Sequence, residues 1–241
     1  MELTAGEIKL LKKLKDKKYR KSEGLFLVEG KKSCEELLSS NYQIKYTLAS
    51  TDEYKSYPNF CLISYDVLKS IATTDTPQEV ICVVEIPKLL DGLPSGNSLV
   101  LDNLQDPGNV GTLIRSALAF GFKDIYFVNC VDIFCEKVIR SSMGNIFKIA
   151  PHIVDIDYIR HNKTNICNQL IGTNMSSKNI KDIDTNGKIA IVVGNEGNGI
   201  SNDMLALCDS VVTIPMSNGV ESLNVGIAGS IAMYEIFNKI L

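Results

Sequence analysis

Short apolar runs alternate with longer helical patterns through most of the second half of this 241-residue chain. Apolar runs bounded by turn residues predict buried strands, and the patterns between them predict helices. The predicted strands lie at residues 98–102, 124–128, 168–172, 188–193 and 211–214. Because strands that alternate with helices pair in parallel, this half predicts an α/β fold with a mainly parallel sheet.

The first part of the chain has shorter elements in a different order. It predicts, in sequence, a strand at 25–28, a helix at 31–40, strands at 43–48 and 60–64, a helix at 65–72 and a strand at 80–85. Residues 87–97 include Gly92 and Pro94, which indicates a linker. We therefore predict two domains, a small α/β domain over residues 1–90 and a larger one over residues 97–241.

Composition and hydropathy are typical of a globular protein. Hydrophobic residues make up 45% of the chain and charged residues 22%, as in ordinary globular domains. No apolar run is long enough to span a bilayer, and the lysine-rich N-terminus lacks the apolar core of a signal peptide. We expect a cytoplasmic protein with no membrane partner.

The potential metal ligands are scattered. The seven cysteines have no CxxC spacing, which favours reduced thiols over a zinc site or a disulfide framework. The two histidines, His152 and His161, stand apart from the glycine-bearing loops of the chain and are expected to be structural or surface residues. We therefore expect no bound metal.

Basic residues concentrate near the N-terminus, although the net charge of the chain is −3. Residues 1–32 hold ten basic and five acidic residues, whereas the remaining chain holds fifteen and twenty-three. Leu10, Leu11 and Leu14 give residues 9–21 an apolar helical stripe, so the lysines of this helix are expected on its exposed sides. A solvated helix face is the simple interpretation, but a positive segment on an acidic protein is also typical of phosphate binding.

A first loop of functional interest follows the predicted strand that ends at Asp102. The sequence Asp106-Pro107-Gly108 predicts a turn before a helix. Asn109 is predicted to cap that helix, because its side chain can accept a hydrogen bond from a free backbone amide of the first turn. Arg115 lies six residues further on, within the same helix.

Two later loops also follow predicted strands. The segment 194–199 carries three glycines and Glu196, and its glycines allow a ligand to approach the backbone closely. The segment 213–224 begins with Ile214-Pro215-Met216, and Ser222 is predicted to begin the long final helix. None of the loops has the spacing of a dinucleotide fingerprint or a phosphate-binding loop, which disfavours a nucleotide-dependent α/β enzyme.

In order and spacing, the three loops resemble the motifs of the SpoU (TrmH-like) branch of the SPOUT RNA methyltransferases. The matching residues, in chain order, are Asn109, Gly111, Arg115, Gly194, Glu196, Gly197, Ile214, Pro215, Met216, Ser222, Leu223 and Asn224. The match covers roughly residues 97–241. Segments 26–30 and 74–78 also resemble the substrate-binding domain that many SpoU enzymes carry.

The resemblance implies a fold and an assembly. It implies a SPOUT-type α/β knot, in which a mainly parallel sheet ends in a C-terminal trefoil knot and the second and third motif loops wrap the cofactor. The preceding small α/β domain would resemble a ribosomal protein that binds RNA. The final helix would contribute to a homodimer.

The resemblance also implies an activity, the transfer of a methyl group from S-adenosylmethionine to a ribose 2′-hydroxyl of RNA. This displacement requires alignment of the reacting atoms and no metal. The implied cofactor contacts are Thr173, Gly194, Glu196, Gly197, Ile214, Met216, Leu223 and Asn224. The implied catalytic residues are Arg115 and, to orient it and shape the pocket, Asn109, Glu196, Ser222 and Asn224.

Arginine and lysine side chains are the expected RNA contacts. Because a guanidinium stays protonated, we expect Arg115 to bind an RNA phosphate and stabilise the developing alkoxide electrostatically. Beside the methyltransferase motifs, RNA binding becomes the favoured interpretation of the basic N-terminal segment. The expected contacts there are Lys18, Arg20, Lys21 and Lys31.

The N-terminal domain favours large-subunit (23S) ribosomal RNA as the substrate, because many minimal tRNA-modifying members of the family lack such a domain. A tRNA 2′-O-methyltransferase remains an alternative. A non-catalytic RNA-binding protein with a vestigial methyltransferase domain is a second one, which the intact motif residues disfavour. The sequence leaves the target nucleotide open, as well as the choice between free RNA and a ribonucleoprotein.

Overall fold

The computed structural model describes residues 3–88, 93–217 and 222–240. Part of the predicted linker, residues 89–92, therefore lies outside the described residues. Helices α1 to α9 are Ala5–Lys13, Lys17–Glu23, Lys31–Leu38, Tyr65–Ile71, Pro107–Ala119, Glu136–Ser141, Ile156–Ile166, Asn202–Leu205 and Val225–Ile240. Strands β1 to β10 are Leu25–Glu29, Ile44–Ala49, Phe60–Leu62, Val80–Glu85, Ser98–Asp102, Asp124–Val128, Ala150–Val154, Gln169–Asn179, Ile189–Val193 and Ser210–Thr213.

The chain divides into two compact units. The first unit comprises the chain up to Lys88 together with the segment Asp132–Phe147, which carries α6. The second unit comprises the remaining residues. A stretch of the chain from the second half of the sequence thus completes the core of the first unit.

The first unit is built on a mixed four-stranded sheet in the order β1-β4-β2-β3. β4 is antiparallel to both β1 and β2, whereas β3 is parallel to β2. Strand β1 is buried on both faces. Leu25 and Leu27 join a core with α1 and α4, and Phe26 packs against Phe134 at a ring distance of 4.9 Å. All four strands predicted in this part of the chain are confirmed.

The basic N-terminal segment forms two helices, so the single helix predicted over residues 9–21 is wrong. Helix α1 begins at a capping box, in which Thr4 and Glu7 each bond to the backbone amide of the other. Helix α2 begins after Asp16, whose Oδ1 accepts a hydrogen bond from the Lys18 amide at 2.8 Å. An aspartate in this position starts a new helix because it satisfies a free first-turn amide. Leu11 and Leu14 are buried as the apolar stripe predicted.

The second unit is built on an all-parallel six-stranded sheet in the order β10-β8-β9-β5-β6-β7. The predicted α/β fold class with a parallel sheet is confirmed. Every residue of β5, β6 and β9 is buried, as expected for strands covered on both faces. The predicted trefoil knot stays a prediction from the family resemblance, and its third loop includes residues 218–221, which lie outside the described residues.

Two strands of this sheet differ from the sequence-based prediction. Strand β7 was not predicted, and β8 continues to Asn179, beyond the predicted end at residue 172. Among the described strands, β7 lies at the edge of the sheet beside β6, and it contains Pro151 and His152 in place of a continuous apolar run. An edge strand needs less apolar character and tolerates proline, which explains why its pattern was weak.

The starts of α5 and α9 also differ from the prediction. Asp106, and not Asn109, caps α5, because its Oδ1 accepts from the Asn109 amide at 2.8 Å and Pro107 occupies the first helical position. The start of α9 is capped by Asn224 and not by Ser222. The Oδ1 atom of Asn224 accepts from the amides of Gly226 and Ile227 at 2.9 and 3.3 Å. The side chain of Asn109, which was predicted to cap α5, is therefore left for another role.

The parallel arrangement brings the functional loops together. Strands β5, β9 and β10 run in the same direction, so their carboxyl ends lie at one edge of the sheet. The loops that follow these strands carry the three sequence motifs. In open α/β sheets, this edge is where ligands bind. Within the described residues, no helix has the length and apolar character needed to cross a membrane.

Candidate functional site

A chain of side-chain hydrogen bonds joins all three motif loops. The Nδ2 atom of Asn109 donates to Glu196 Oε1 at 3.0 Å, and the Nδ2 atom of Asn224 donates to Asn109 Oδ1 at 3.0 Å. Asn109 therefore uses both ends of its amide, one toward each of the other loops. Because Asp106 caps α5, the side chain of Asn109 is available for this role. The structure thus brings together three of the predicted catalytic residues, Asn109, Glu196 and Asn224.

Asn195 shapes the second motif loop and was missed by the sequence reasoning. Its backbone pairs with that of Gly199 through two hydrogen bonds of 2.9 Å. Its Oδ1 accepts from the amide of Gly197 at 2.9 Å, and its Nδ2 donates to the carbonyl of Asn103 at 2.9 Å. An asparagine directly before a turn is the available sequence signal, because its side chain can bond to the backbone two residues further on.

The glycines of this loop differ in how much space surrounds them. A Cβ atom on Gly194 would lie 2.2 Å from the backbone carbon of Gly199, so no larger residue fits without moving the loop. A Cβ atom on Gly197 would meet only Asn195 Oδ1, at the ordinary contact distance of 3.6 Å. The fold of this loop therefore requires glycine at position 194.

A small cavity lies beside the loops, at the middle of β8 and the end of β10. Its volume is about 110 Å³. Its lining residues are Thr173, Asn174, Val212, Thr213, Ile214, Met216, Ser222, Leu223 and Ala228. Four of the predicted cofactor contacts, Thr173, Ile214, Met216 and Leu223, converge here, together with the predicted catalytic residue Ser222. Asn174 and Ala228 line the same cavity and were not predicted.

The chemistry of the cavity fits an adenosyl ligand. Ile214, Met216 and Leu223 are apolar side chains that stay only half-buried around it, as expected of a surface that an aromatic ring could cover. Thr173 supplies a hydroxyl, whose Oγ1 donates to the carbonyl of Val192 at 3.0 Å. The volume of 110 Å³ is below the ~300 Å³ of most ligand pockets, so the cavity fits one part of the cofactor and leaves the rest to the adjoining loops.

Arg115 is not part of the hydrogen-bond chain that joins the motif loops. It lies exposed on α5, and its guanidinium makes no hydrogen bond or ion pair with any other described residue. The neighbouring Ser116 bonds to Ser230 at 2.6 Å between the two hydroxyl oxygens, which ties α5 to α9. The scaffold around Arg115 is therefore fixed, while its charged group stays open to solvent.

The predicted RNA contacts of the first unit fall into two groups. Lys18, Lys21 and Lys31 are exposed, and Lys31 pairs with Glu53 at 2.8 Å, a hydrogen bond that raises the pKa of Lys31. Arg20 is a correction, because it is 7% exposed and its guanidinium is held inside the protein. It donates to Asp132 through Nε and Nη2, and through Nη1 to the carbonyls of Leu14 and Lys15. Arg20 therefore has a structural role.

The two histidines have no place at the motif loops. His152 is buried, lies 3.1 Å from Asp124 Oδ1 through its Nε2 and stacks on Tyr126. His161 is exposed on α7, with its Nδ1 2.6 Å from the carbonyl of Asp157. In the part of the chain that the structure describes, no three cysteine, histidine or acidic side chains form a metal-binding cluster.

Two family models match the chain. The model of the SpoU rRNA Methylase family matches residues 96–234 and contains all three motif loops. The model of the MRM3-like substrate binding domain matches residues 6–82, within the first unit.

Individual relatives agree with these models over nearly the whole chain. The chain is 29% identical over 245 aligned residues to the 23S rRNA (guanosine(2553)-2′-O)-methyltransferase RlmP of Bacillus subtilis. The alignment covers 95% of each protein. A putative RNA methyltransferase of the TrmH family from Porphyromonas gingivalis has a similar structure, with a TM-score of 0.88, 30% identity, and coverage of 98% of this chain and 99% of that one. An AdoMet-bound rRNA methyltransferase from Sinorhizobium meliloti superimposes with a TM-score of 0.89 at 25% identity, covering 100% and 98% of the two chains.

Proposed function

The chain belongs to the SpoU rRNA methylase family of S-adenosylmethionine-dependent RNA 2′-O-ribose methyltransferases, and we propose that its substrate is 23S ribosomal RNA. The relative from Bacillus subtilis, similar over 95% of both chains, is a 23S rRNA 2′-O-methyltransferase and supports this choice of substrate. A ribosomal substrate also supports a cytoplasmic location. The N-terminal region 1–90 would bind RNA, together with the segment 132–147 that packs with it, and residues 97–241 would carry the transfer.

The structural observation that supports methyl transfer is the hydrogen-bond chain from Glu196 through Asn109 to Asn224. It fixes the three motif loops against one another at the carboxyl edge of the sheet, beside the apolar cavity. A methyl transfer depends on alignment of donor and acceptor more than on acid or base strength. Loops held by mutual hydrogen bonds supply that alignment before the substrates bind.

The same geometry supports a set of residues that would hold the cofactor. S-adenosylmethionine supplies, when bound, a methyl group on a positively charged sulfur. Ile214, Met216 and Leu223 would cover its adenine, and the backbone of the loop from Gly194 to Gly197 would bind its polar groups. Glu196 and Asn224 would contribute by fixing the two loops that enclose it.

Arg115 would act on the RNA. Its open guanidinium can bind a phosphate next to the target ribose through two parallel hydrogen bonds. The same positive charge would stabilise the negative charge that develops on the 2′-oxygen as it attacks. Asn109 lies six residues before Arg115 on α5 and bonds to Glu196, so this pair would shape the pocket without bonding to Arg115.

Arg115→Lys tests this role. We expect the variant to keep part of its RNA affinity but to lose turnover, because an ammonium cannot reproduce the two-point geometry of a guanidinium. Steady-state kinetics with 23S rRNA should show a larger fall in kcat than rise in KM. Wild-type turnover in Arg115→Lys would contradict the assignment.

A homodimer would complete the assembly. Helix α9 exposes large apolar side chains at Ile227, Tyr234 and Ile240, with exposed fractions of 51%, 47% and 54%. Apolar side chains of this size are costly to leave in water, which favours a partner surface. The family resemblance supports a second copy of the chain as that partner, and sedimentation velocity would measure the resulting mass.

A further inference from the structure

Asp102 is a buried acidic residue at the carboxyl edge of the six-stranded sheet. It is the last residue of β5, and it is 1% exposed. It lies one residue beyond the pair of Leu101 with Val193, at the point where β9 leads into the second motif loop. Aspartate is almost never fully buried unless its oxygen atoms have partners, because burial removes the water that would solvate them. The partners of Asp102 therefore indicate what it does at this position.

Both oxygen atoms of Asp102 accept hydrogen bonds. Oδ2 accepts from the backbone amide of Ser201 at 2.7 Å, and Oδ1 accepts from Nδ2 of Asn103 at 2.7 Å. Asp102 forms no ion pair with any other described residue. Ser201 comes two residues after the second motif loop, which is the segment 194–199. Because a carboxylate accepts stronger hydrogen bonds than a neutral group does, the end of this loop is tied firmly to the end of β5.

The beginning of the second motif loop is attached at the same place. Nδ2 of Asn195 donates to the carbonyl of Asn103 at 2.9 Å. Asn103 is itself fixed, because its amide donates to the carbonyl of Val128 at 2.9 Å. Its φ is +59°, a left-handed conformation that asparagine tolerates better than most residues do. Asp102 and Asn103 thus hold both ends of the loop that carries Glu196.

These attachments are separate from the hydrogen-bond chain that joins the three motif loops. In that chain, Glu196 bonds to Asn109 from within the loop. The bonds of Asp102 and Asn103 instead fix where the loop begins and ends. A loop that is held in its binding conformation before the ligand arrives loses less conformational entropy on binding, and therefore binds the ligand more tightly.

We infer that Asp102 is a positioning residue for the methyl transfer, which holds the second motif loop in the conformation that binds S-adenosylmethionine. The inference rests on the proposed function, in which this loop binds the polar groups of the cofactor. It extends that function to a residue that does not line the cavity beside the loops. Asp102 acts through its hydrogen bonds to the loop, so its loss should weaken cofactor binding and leave RNA binding unchanged.

Asp102→Ala is the principal variant, and Asp124→Ala is its matched control. Asp102→Ala removes the acceptor of the Ser201 amide. Asp124 is also buried, at 6% exposure, and it accepts a hydrogen bond from the backbone amide of Ser95 at 3.3 Å. It begins β6 beside Ser98, at the opposite edge of the same sheet. Both variants therefore remove a buried carboxylate, but only Asp102→Ala does so beside the motif loops.

Two further variants separate the hydrogen bonds of Asp102 from its charge and from folding. Asp102→Asn keeps an oxygen for the Ser201 amide, and its own amide can donate to the side-chain oxygen of Asn103 once the Asn103 amide turns over. Asn103→Gly removes one of the two donors to Asp102. Glycine adopts the positive φ of this position without strain, so Asn103→Gly should fold even if Asp102→Ala does not.

Calorimetry measures the affinity for S-adenosylmethionine, and amide hydrogen exchange measures the order of the segment 194–201 in the free protein. We expect Asp102→Ala to bind the cofactor about tenfold more weakly and Asn103→Gly about fivefold more weakly, as for lost hydrogen bonds. Exchange of the segment should be faster in both variants. Asp102→Asn should stay within about twofold of the wild-type affinity, and Asp124→Ala should match the wild type in both measurements.

Steady-state kinetics distinguish a positioning role from a loss of folded protein. In Asp102→Ala, the KM for S-adenosylmethionine should rise about tenfold while the KM for the RNA stays unchanged. A smaller folded fraction would instead lower the apparent kcat and leave both KM values unchanged.

Three results would overturn the inference while leaving the proposed function intact. One is wild-type affinity and hydrogen exchange in both Asp102→Ala and Asn103→Gly. The second is an equal loss of affinity in Asp102→Asn, which would show that the charge of Asp102 is required and not its hydrogen bonds. The third is an equal loss in Asp124→Ala, which would show a general effect of lost stability. Weaker cofactor binding in Asp102→Ala, with no methyl transfer by the wild type to 23S rRNA, would support the inference and reject the proposed substrate.

Discussion

Asn109 links the three motif loops through a single amide, which makes its chemistry testable by one near-isosteric change. Asn109→Asp replaces the donor that faces Glu196 with an oxygen, so two carboxylates would meet at the position of a 3.0 Å hydrogen bond. We expect weaker binding of S-adenosylmethionine, because repulsion moves the second loop away from the first. The double variant Asn109→Asp/Glu196→Gln restores a donor and should recover binding. A coupling energy of about 0.5–3 kcal/mol in this cycle, measured by calorimetry, is expected for residues in contact; additive losses would show that the two side chains do not interact.

Gly194 and Gly197 provide a second comparison at the scale of single residues. Gly194→Ala forces a Cβ atom to within 2.2 Å of the Gly199 backbone, whereas Gly197→Ala creates only an ordinary 3.6 Å contact. We expect Gly194→Ala to reduce affinity for S-adenosylmethionine severely and to cost at least the ~1–3 kcal/mol typical of overpacking in urea unfolding. Gly197→Ala is the matched control for the fold of the loop, and its stability in urea unfolding should stay close to that of the wild type. Similar losses of stability in both variants would show that the loop needs glycine for its backbone conformation, and that the clash of a Cβ atom is not the cause.

Residue types and spacing identified the motif positions, but they could not assign the partner of each side chain. Asn109 looked like a helix cap because it stands near a helix start, and the structure gives that role to Asp106 three residues earlier. Arg20 looked like one more basic residue on an exposed face. Its partner, Asp132, is 112 positions away in the chain, so no local pattern could show that Arg20 is buried. Residue type predicted which hydrogen bonds and charges these side chains can supply. Which partners they bind depends on contacts between residues that are distant in the sequence.

At the scale of elements, the prediction succeeded where strands are continuous apolar runs, and it failed for the edge strand β7 and for the far end of β8. Strands β5 and β6 have the predicted bounds, because every residue in them is buried and the apolar runs are continuous. Strand β7 was missed because an edge strand can include proline and polar residues. The two basic helices were merged into one because Asp16 was counted as a charge and not as a helix cap.

The edge of the second unit also supplies a pH-dependent interaction between elements. Asp209, just before β10, accepts hydrogen bonds from the Leu170 amide at 2.8 Å and from Lys163 Nζ at 2.6 Å. Burial acts to raise its pKa, but these two hydrogen bonds outweigh it and hold the pKa of Asp209 below the usual value. A carboxyl group with a lowered pKa stabilises the folded state above its unfolded pKa, and that stability is lost as the pH falls through the folded value.

Urea unfolding of wild type and Asp209→Asn as a function of pH checks this interaction. We expect the wild type to be more stable at pH 7, and the difference to shrink as the pH falls below about 5. Asp75→Asn, which removes an exposed carboxylate in the first unit, is the control for the loss of one negative charge. A difference that is constant with pH would show that the charge of Asp209 does not contribute.

For the whole molecule, the sequence predicted two domains and the fold class of each. It did not predict that the segment 132–147 packs with the first unit. That segment follows β6 in the chain, yet it packs in the core of the first unit through Phe134 and Asp132. The pattern of the segment itself predicts only a short helix. Its location is decided by contacts with distant residues, because Phe134 packs on Phe26 and Asp132 bonds to Arg20. The family models share this limit, since they match continuous ranges of 6–82 and 96–234.

For the whole molecule, we propose that this methyltransferase acts on 23S ribosomal RNA and uses Arg115 to do so. The most direct test is transfer of radiolabelled methyl groups from S-adenosylmethionine to unmodified 23S rRNA and to tRNA, followed by mapping of 2′-O-methylated nucleotides. Wild type and Arg115→Ala would be compared, with binding of S-adenosylmethionine as the control for folding. We expect label at a defined ribose of 23S rRNA that disappears in Arg115→Ala. Label confined to tRNA, or unchanged label in Arg115→Ala, would contradict it.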